Sequence, residues 1–558
     1  MVRSGVRKLR DRRASVVLVL ALALALLLLA APGARAAAGP VLDAEALQKV
    51  LLAQDLPALE LLPVTVTSHP FNGAAWQNKP IDLKKYGYVE REYLMSGEAN
   101  VYGWVAGSDY STQVLRDGPY ATRVLVRRPA NLNKWSGRVV VELLNTSAGY
   151  DWTAIWSALW ERVLARHDVY VGITCKAAVF PGMQTFDAER YAGLAMANPL
   201  APEDQAGGTL PSDGASYDPN YSKLYENGLV WDIATQAGRL LKSSGPANPL
   251  KRAAKTIILS GESQQGNALV TYYKWFTPAA YLKNGRPIFD GYLAECFVNA
   301  NPQEPFPWFT QAPLNQTEPL TNPLPADDPQ LGWVPARPVP WASINSQWDY
   351  SAARGFPSPK SFNTKDHKAV FWELAGCNHG WEWQYLYGDA CAADLLKAGF
   401  WDPATYDWKT TPNNPEVPLY MAEKALYRDL LQWIRSRIAP PVPRHIESVP
   451  NDPSIGFGVY RDAAVYDDYG TAKGGLRFPM IKVPVASYGE GRYILTPPDG
   501  SAEIVPFTPD VLAKLYPTKT VYVNSFTHTA MRLVQQRYLL PADAHKLVRQ
   551  AKKAVIPD

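Results

Sequence analysis

Six short, nearly continuous apolar runs at 139–144, 169–174, 256–259, 288–293, 339–344 and 369–374 dominate the middle of the chain. Stretches of helical character at 152–165, 224–241 and 268–276 separate them. A strand that is apolar at almost every position has to be covered on both faces, which is the situation of a parallel sheet flanked by helices. Right-handed crossovers then give an α/β architecture, a mostly parallel, doubly wound sheet whose ligands collect at the carboxyl ends of its strands. Upstream, 88–95 and 121–127 alternate partly between apolar and polar, with Gly97, Gly103, Gly107 and Gly118 between them. Antiparallel N-terminal strands are therefore expected to open the sheet. The Ala- and Leu-rich segment 37–60 reads as helix.

Two irregular stretches, 180–221 and 302–338, are rich in Pro, Asn and Asp, and the second carries Trp308 and Trp333. Loops this long in a compact domain are lids, binding loops or disordered segments, and their aromatic content favours ordered, lid-like insertions. A helix expected over 420–438 cannot continue through Pro440-Pro441-Val442-Pro443. The spacing predicts an α/β domain over 37–439 and a C-terminal extension over 440–558 packed on it. The extension holds short strands, a Gly474-Gly475 turn and a helix near 541–553.

Residues 1–36 read as a signal peptide. Arg3, Arg7, Lys8, Arg10, Arg12 and Arg13 form a basic start, 16–31 is an apolar run, and Ala34-Arg35-Ala36 supplies the small residues of a cleavage site. The run is short for a membrane span, so export to the periplasm or medium is expected, with no membrane association after cleavage. Arg12-Arg13 is a loose match to the twin-arginine route. The whole chain has a net charge of +4. Removing the leader takes away seven Lys or Arg and one acidic residue and leaves −2. No basic run remains that could neutralise a row of phosphates, which argues against a nucleic-acid partner. Of the four cysteines, Cys377 and Cys391 lie nearest in sequence, and a disulfide between them is the favoured pairing; the alternative is four buried thiols.

The segment Ile257-Ile258-Leu259-Ser260-Gly261-Glu262-Ser263-Gln264-Gln265-Gly266-Asn267-Ala268 is a buried-strand pattern that turns straight into a helix. It reads as a nucleophile elbow, which projects Ser263 Oγ into a cleft and aims the Gln264 N–H at a developing oxyanion. A serine hydroxyl needs a base within reach and a carboxylate to orient that base. The chain offers Asp349 after the run at 339–344 and His379 after the run at 369–374, in the order this topology uses. Asp290 is the second choice for the acid. The other six histidines, His69, His167, His367, His445, His528 and His545, read as structural. The loop 145–149 after the first parallel strand supplies the second oxyanion donor, the Thr146 N–H, or else only a helix cap. Gln265 stands where the G-x-S-x-G pattern has glycine, so its side chain is expected to point outward or the elbow to be slightly opened.

These residues resemble a known family, the secreted bacterial α/β-hydrolase domain-containing proteins. The resemblance rests on Tyr88-Val89-Glu90-Arg91-Glu92-Tyr93 with Ser96-Gly97-Glu98-Ala99-Asn100-Val101-Tyr102, and on Val139-Val140-Val141-Glu142-Leu143-Leu144-Asn145. It rests further on Gly261-Glu262-Ser263-Gln264 and on Gly474-Gly475-Leu476-Arg477. It implies an α/β-hydrolase fold, esterase chemistry, and a triad of Ser263, Asp349 and His379.

The expected activity is cleavage of a small-molecule carboxylic ester without cofactor or metal. Trp152 and Trp381, with Trp156, Trp372 and Trp383, are candidates for an apolar or aromatic substrate site, or else belong to the core. Acyl transfer and amide hydrolysis use the same triad and are separated by product analysis. A non-catalytic binding protein on the same fold would leave Ser263 unreactive to a fluorophosphonate.

Overall fold

The branched and aromatic residues of the apolar runs form the centre of one large sheet. In a computed structural model, residues 40–74, 81–105, 111–147, 149–201, 224–297, 314–315, 334–347, 349, 360–377, 393–400, 417–449, 463–488 and 504–556 are described. Its strands are β1 (Val41–Leu42), β2 (Ala58–Leu62), β3 (Tyr88–Trp104), β4 (Thr112–Pro129), β5 (Arg138–Leu143), β6 (Val169–Ile173), β7 (Thr256–Glu262), β8 (Gly291–Glu295), β9 (Trp341–Ser346), β10 (Phe362–Asn363) and β11 (Lys368–Leu374). They lie in the order β10-β11-β9-β8-β7-β5-β6-β4-β3-β2, with β1 joined to β4. From β11 to β6 the neighbours are parallel. The long β3–β4 hairpin and β2 are antiparallel.

All six apolar runs become parallel strands, with shifted ends. The fourth starts at Gly291 because Asp290 instead turns its carboxylate to the Ile257 N–H at 2.8 Å and to the Lys242 ammonium. The expected helix over 37–60 is only partly formed. It covers α1 (Ala44–Ala53), and Ala58–Leu62 after Pro57 pairs with β3 instead.

Because side chains alternate across a strand, β8 shows which helices cover which face. A Cβ on Gly291 would meet Ile434 and Leu430 of α5 (Leu419–Ser436). Tyr292, on the other face, packs edge-on against Tyr273, just beyond α4 (Gln264–Thr271), with ring centroids 4.9 Å apart. Helix α2 (Ala154–Ala165), which follows β5, packs against α5. The helices after β5 and β7 thus leave on opposite faces. The crevice between the carboxyl ends of these two strands is the switch point at which such sheets bind ligands.

Segments far apart in sequence are tied beside β3 and β4 by a buried ionic network. Arg123 on β4 donates to Glu92 on β3, to Asp151 Oδ2 at 3.0 Å and to the Phe71 carbonyl at 2.5 Å. Arg190 donates to the other oxygen of Glu92, and Thr174 to Asp151. The Arg123 side chain is 1% exposed, and its partner carboxylates are fully buried. Arg123→Met should therefore destabilise the fold by ~3–5 kcal/mol, read by urea unfolding, because Glu92 and Asp151 lose a cation they cannot replace with water.

Candidate active site

Ser263 stands between β7 and α4 with φ 53° and ψ −118°. A side-chain-bearing residue occupies this region only where its surroundings over-determine it. Two backbone bonds do so here: Ser263 N–H donates to the Glu295 carbonyl at 2.9 Å, and Asn267 N–H donates to the Ser263 carbonyl at 3.1 Å. Close approach does the rest. A Cβ on Gly261 would lie 2.7 Å from the Gln265 carbonyl oxygen, and one on Gly266 would lie 2.6 Å from Phe297 Cβ. The second small residue the turn requires is therefore Gly266, three positions after the serine. Of the two expected arrangements for Gln265, the outward one is not adopted: the side chain is buried, with Nε2 3.4 Å from Gln264 Oε1. The helix leaving the turn directs its first N–H groups, Gln264 among them, toward the strand ends.

The expected oxyanion loop lies beside this turn. Thr146 is buried, and its hydroxyl donates to Gln264 Oε1 at 3.1 Å. The loop is closed on itself by paired bonds between Asn145 and Trp152, at 2.8 and 3.2 Å, and by Gly149 N–H to the Thr146 carbonyl at 2.9 Å. Asn145 Nδ2 spans the gap to β7, donating to the Glu262 carbonyl at 3.2 Å and to its carboxylate. Asp151, held by Arg123 and Thr174, anchors the far end.

Asp349 follows β9 and is buried. Its Oδ2 accepts from Ser346 N–H and Oγ, each at 2.8 Å, so its backbone turns tightly off the strand. It lies close enough to Cys296 that its charge, after burial itself, helps push that thiol far above its ordinary pKa. Cys296 adjoins Glu295, whose carbonyl holds Ser263, so the Asp349 and Ser263 turns converge across the end of β8. Asp290 is at the opposite end of the sheet. It caps the start of β7 and pairs with Lys242, and this excludes it as the acid.

His379 and Trp381 lie outside the described residues, as do Trp383, Cys391 and residues 1–36, the expected signal peptide. Ala375-Gly376-Cys377, which follow β11 and lead toward His379 in sequence, are described. Trp152 is nearly buried, and its indole N–H has no partner among the described residues. Trp156 and Trp372 are core residues. Trp156 stacks under the Arg127 guanidinium at 4.4 Å, and Trp372 donates to the Pro441 carbonyl at 2.8 Å.

Beneath the turn lies a group of acids that the sequence pattern did not reveal. Glu262 and Glu295 are direct partners in register, and Glu142 is opposite Ser260, two residues before Glu262. All three point to the α2–α5 face, where Glu423 of α5 meets them; all four are buried. Glu142 accepts from the N–H groups of Ile155 and Trp156 at the start of α2 and from Tyr170 Oη. Burial still pushes its pKa up to about 8. Burial first, and then their neighbouring carboxylates, hold Glu295 and Glu423 well above the ordinary range. A carboxyl whose pKa is raised by folding stabilises the fold below its unfolded pKa and loses that contribution as pH rises toward the folded value. Wild-type stability should therefore fall between about pH 5 and about pH 8, and Glu295→Gln should flatten that fall in thermal melts across the series.

Among the described residues, no group of three or more His, Cys, Asp or Glu is arranged to hold a metal ion. Among solved structures, esterase Est22 aligns over 58% of this chain and 83% of its own, at 14% identity and TM-score 0.28. A thermostable esterase from Pseudomonas putida ECU1011 aligns over 57% and 83%, at 13% identity and TM-score 0.26. No curated protein matches the chain. A family described as an alpha/beta hydrolase domain matches residues 56–549, covering β2 to β11, the strained serine turn and most of the C-terminal extension, and the chain belongs to that family.

Proposed function

We propose that this protein is an exported serine hydrolase that cleaves a small-molecule carboxylic ester. The observation that carries the reading is Ser263, held at positive φ on a strand-to-helix turn whose Gly261 and Gly266 leave no room for a Cβ. Strain of this kind is retained where it sets a reactive group in place.

In the proposed reaction, Ser263 Oγ attacks the ester carbonyl carbon while His379 takes its proton, and Asp349 stabilises the resulting imidazolium. The carbonyl π electrons move onto oxygen, where the Gln264 and Thr146 N–H groups receive the charge. The C–O bond to the alcohol then breaks, and His379 returns the proton to the departing oxygen. Water, deprotonated by the same histidine, then attacks the acyl carbon, the bond to Ser263 Oγ breaks as the acid leaves, and His379 returns the proton to Ser263 Oγ. Trp152, whose indole N–H has no partner among the described residues, and Trp381 are the proposed walls of an apolar or aromatic substrate site.

A p-nitrophenyl ester series from short to long acyl and aromatic tests this. The wild type should turn over at least one member, and Ser263→Ala and His379→Ala should each lower kcat by about 10³-fold or more. A wild type inert to the whole series, or variants that keep its rate, would contradict the reading. Export is checked in the same expression experiment, where the released protein should begin at Ala37.

A further inference from the structure

We infer that Gln347 is a positioning residue that locks the loop carrying His379 to the loop carrying Asp349, with the C-terminal extension as the third part of the clamp. The inference rests on the triad reading above. Gln347 comes two residues before Asp349, and Gly376 three residues before His379. The Gln347 side chain is buried, and its single Oε1 accepts from Gly376 N–H at 2.7 Å and from Ala472 N–H at 3.0 Å. One amide oxygen thus joins the acid loop, the histidine loop and the extension.

The surroundings leave this junction little freedom. Gly376 has φ 79°, and a Cβ there would lie 2.5 Å from Ile481 Cδ1 of the extension. Leu476 adds a parallel bridge to Leu374, with its N–H donating to the Glu373 carbonyl at 2.6 Å and its carbonyl accepting from Ala375 N–H at 3.0 Å. The Glu373 carboxylate accepts from Ile446 N–H at 2.6 Å and lies 3.4 Å from His445 Nδ1. The glycine pair has a geometric reason. A Cβ on Gly474 would fall 2.1 Å from the His445 carbonyl oxygen, and one on Gly475 would fall 3.0 Å from the Glu373 carbonyl oxygen. The extension therefore fixes the backbone on both sides of β11's last residue, just before the loop of the proposed base.

A base held by its loop loses rate when the loop shifts, even if substrate still binds, because misplacement by about 1 Å can cost 10²-fold. Gln347→Leu keeps the size and removes the acceptor; Gln347→Glu keeps an acceptor oxygen in the same place. In Gln347→Leu, kcat for the best p-nitrophenyl ester should fall on the order of 10²-fold while KM changes less than about threefold. The acid limb of its pH–rate profile should move to lower pH, since an imidazolium drawn away from its carboxylate holds its proton less tightly. Amide exchange at Gly376 and Ala472 should speed up together. Gln347→Glu should return the exchange protection and most of the rate. Gln347→Asn, which draws the amide back by one methylene, should change all three readouts in the same direction by less, and it serves if the leucine variant does not fold. Folded Leu or Asn variants with wild-type kcat and an unmoved acid limb overturn the inference. A wild type that cleaves no ester defeats the triad reading itself, and the two failures are thereby told apart.

Discussion

The hydrogen bond from Ser263 N–H to the Glu295 carbonyl is the interaction around which the rest of this molecule is arranged. It crosses from the end of β7 to the end of β8 and holds a serine at φ 53°, a conformation that side-chain-bearing residues rarely adopt. The turn closes only because glycine stands on either side of it. On this arrangement depend the direction in which α4 leaves the sheet, the position of its first N–H groups, and the crevice between β5 and β7. The loop 145–152 is fitted to that crevice through Asn145 and Glu262, and the loop after β9 through the tight turn at Ser346 and Asp349.

Holding these loops requires buried polar groups, and the fold supplies them in two ways. Beside β3 and β4, Arg123 and Arg190 satisfy Glu92 and Asp151, so charge is met by charge. Farther along the same face of the sheet, Glu142, Glu262, Glu295 and Glu423 come together, and raised pKa values let Glu142, Glu295 and Glu423 hold protons where exposed carboxyls would be ionised. A neutral carboxyl avoids most of the desolvation penalty that a buried anion would suffer.

The sheet was legible in the sequence because strands covered on both faces leave a local trace, an apolar run of fixed length. The elbow was legible for a related reason: Gly261, Ser263 and Gly266 act within six residues of one another. The burial of Gln265 was not legible because the pattern places the small residue two positions after the serine, whereas here Phe297 presses on the third. The strand Ala58–Leu62 was missed because its partner β3 is distant in sequence and its own composition suits a helix. Gln347 left no signal at all. Its two donors are 29 and 125 residues away, and a lone glutamine after a strand looks like any other surface residue until the chain is folded. Glu423 was hidden in the same way, as one charged residue in a helix that also buries Lys424 and Asp429.

The most direct test of the account is to find which atom reacts. The mature protein is treated with a fluorophosphonate, digested, and the modified residue located by mass spectrometry. The account predicts one adduct, on Ser263, that disappears in Ser263→Ala. A folded protein that takes no label, or takes it on another residue, would show that the strained turn does not carry the nucleophile.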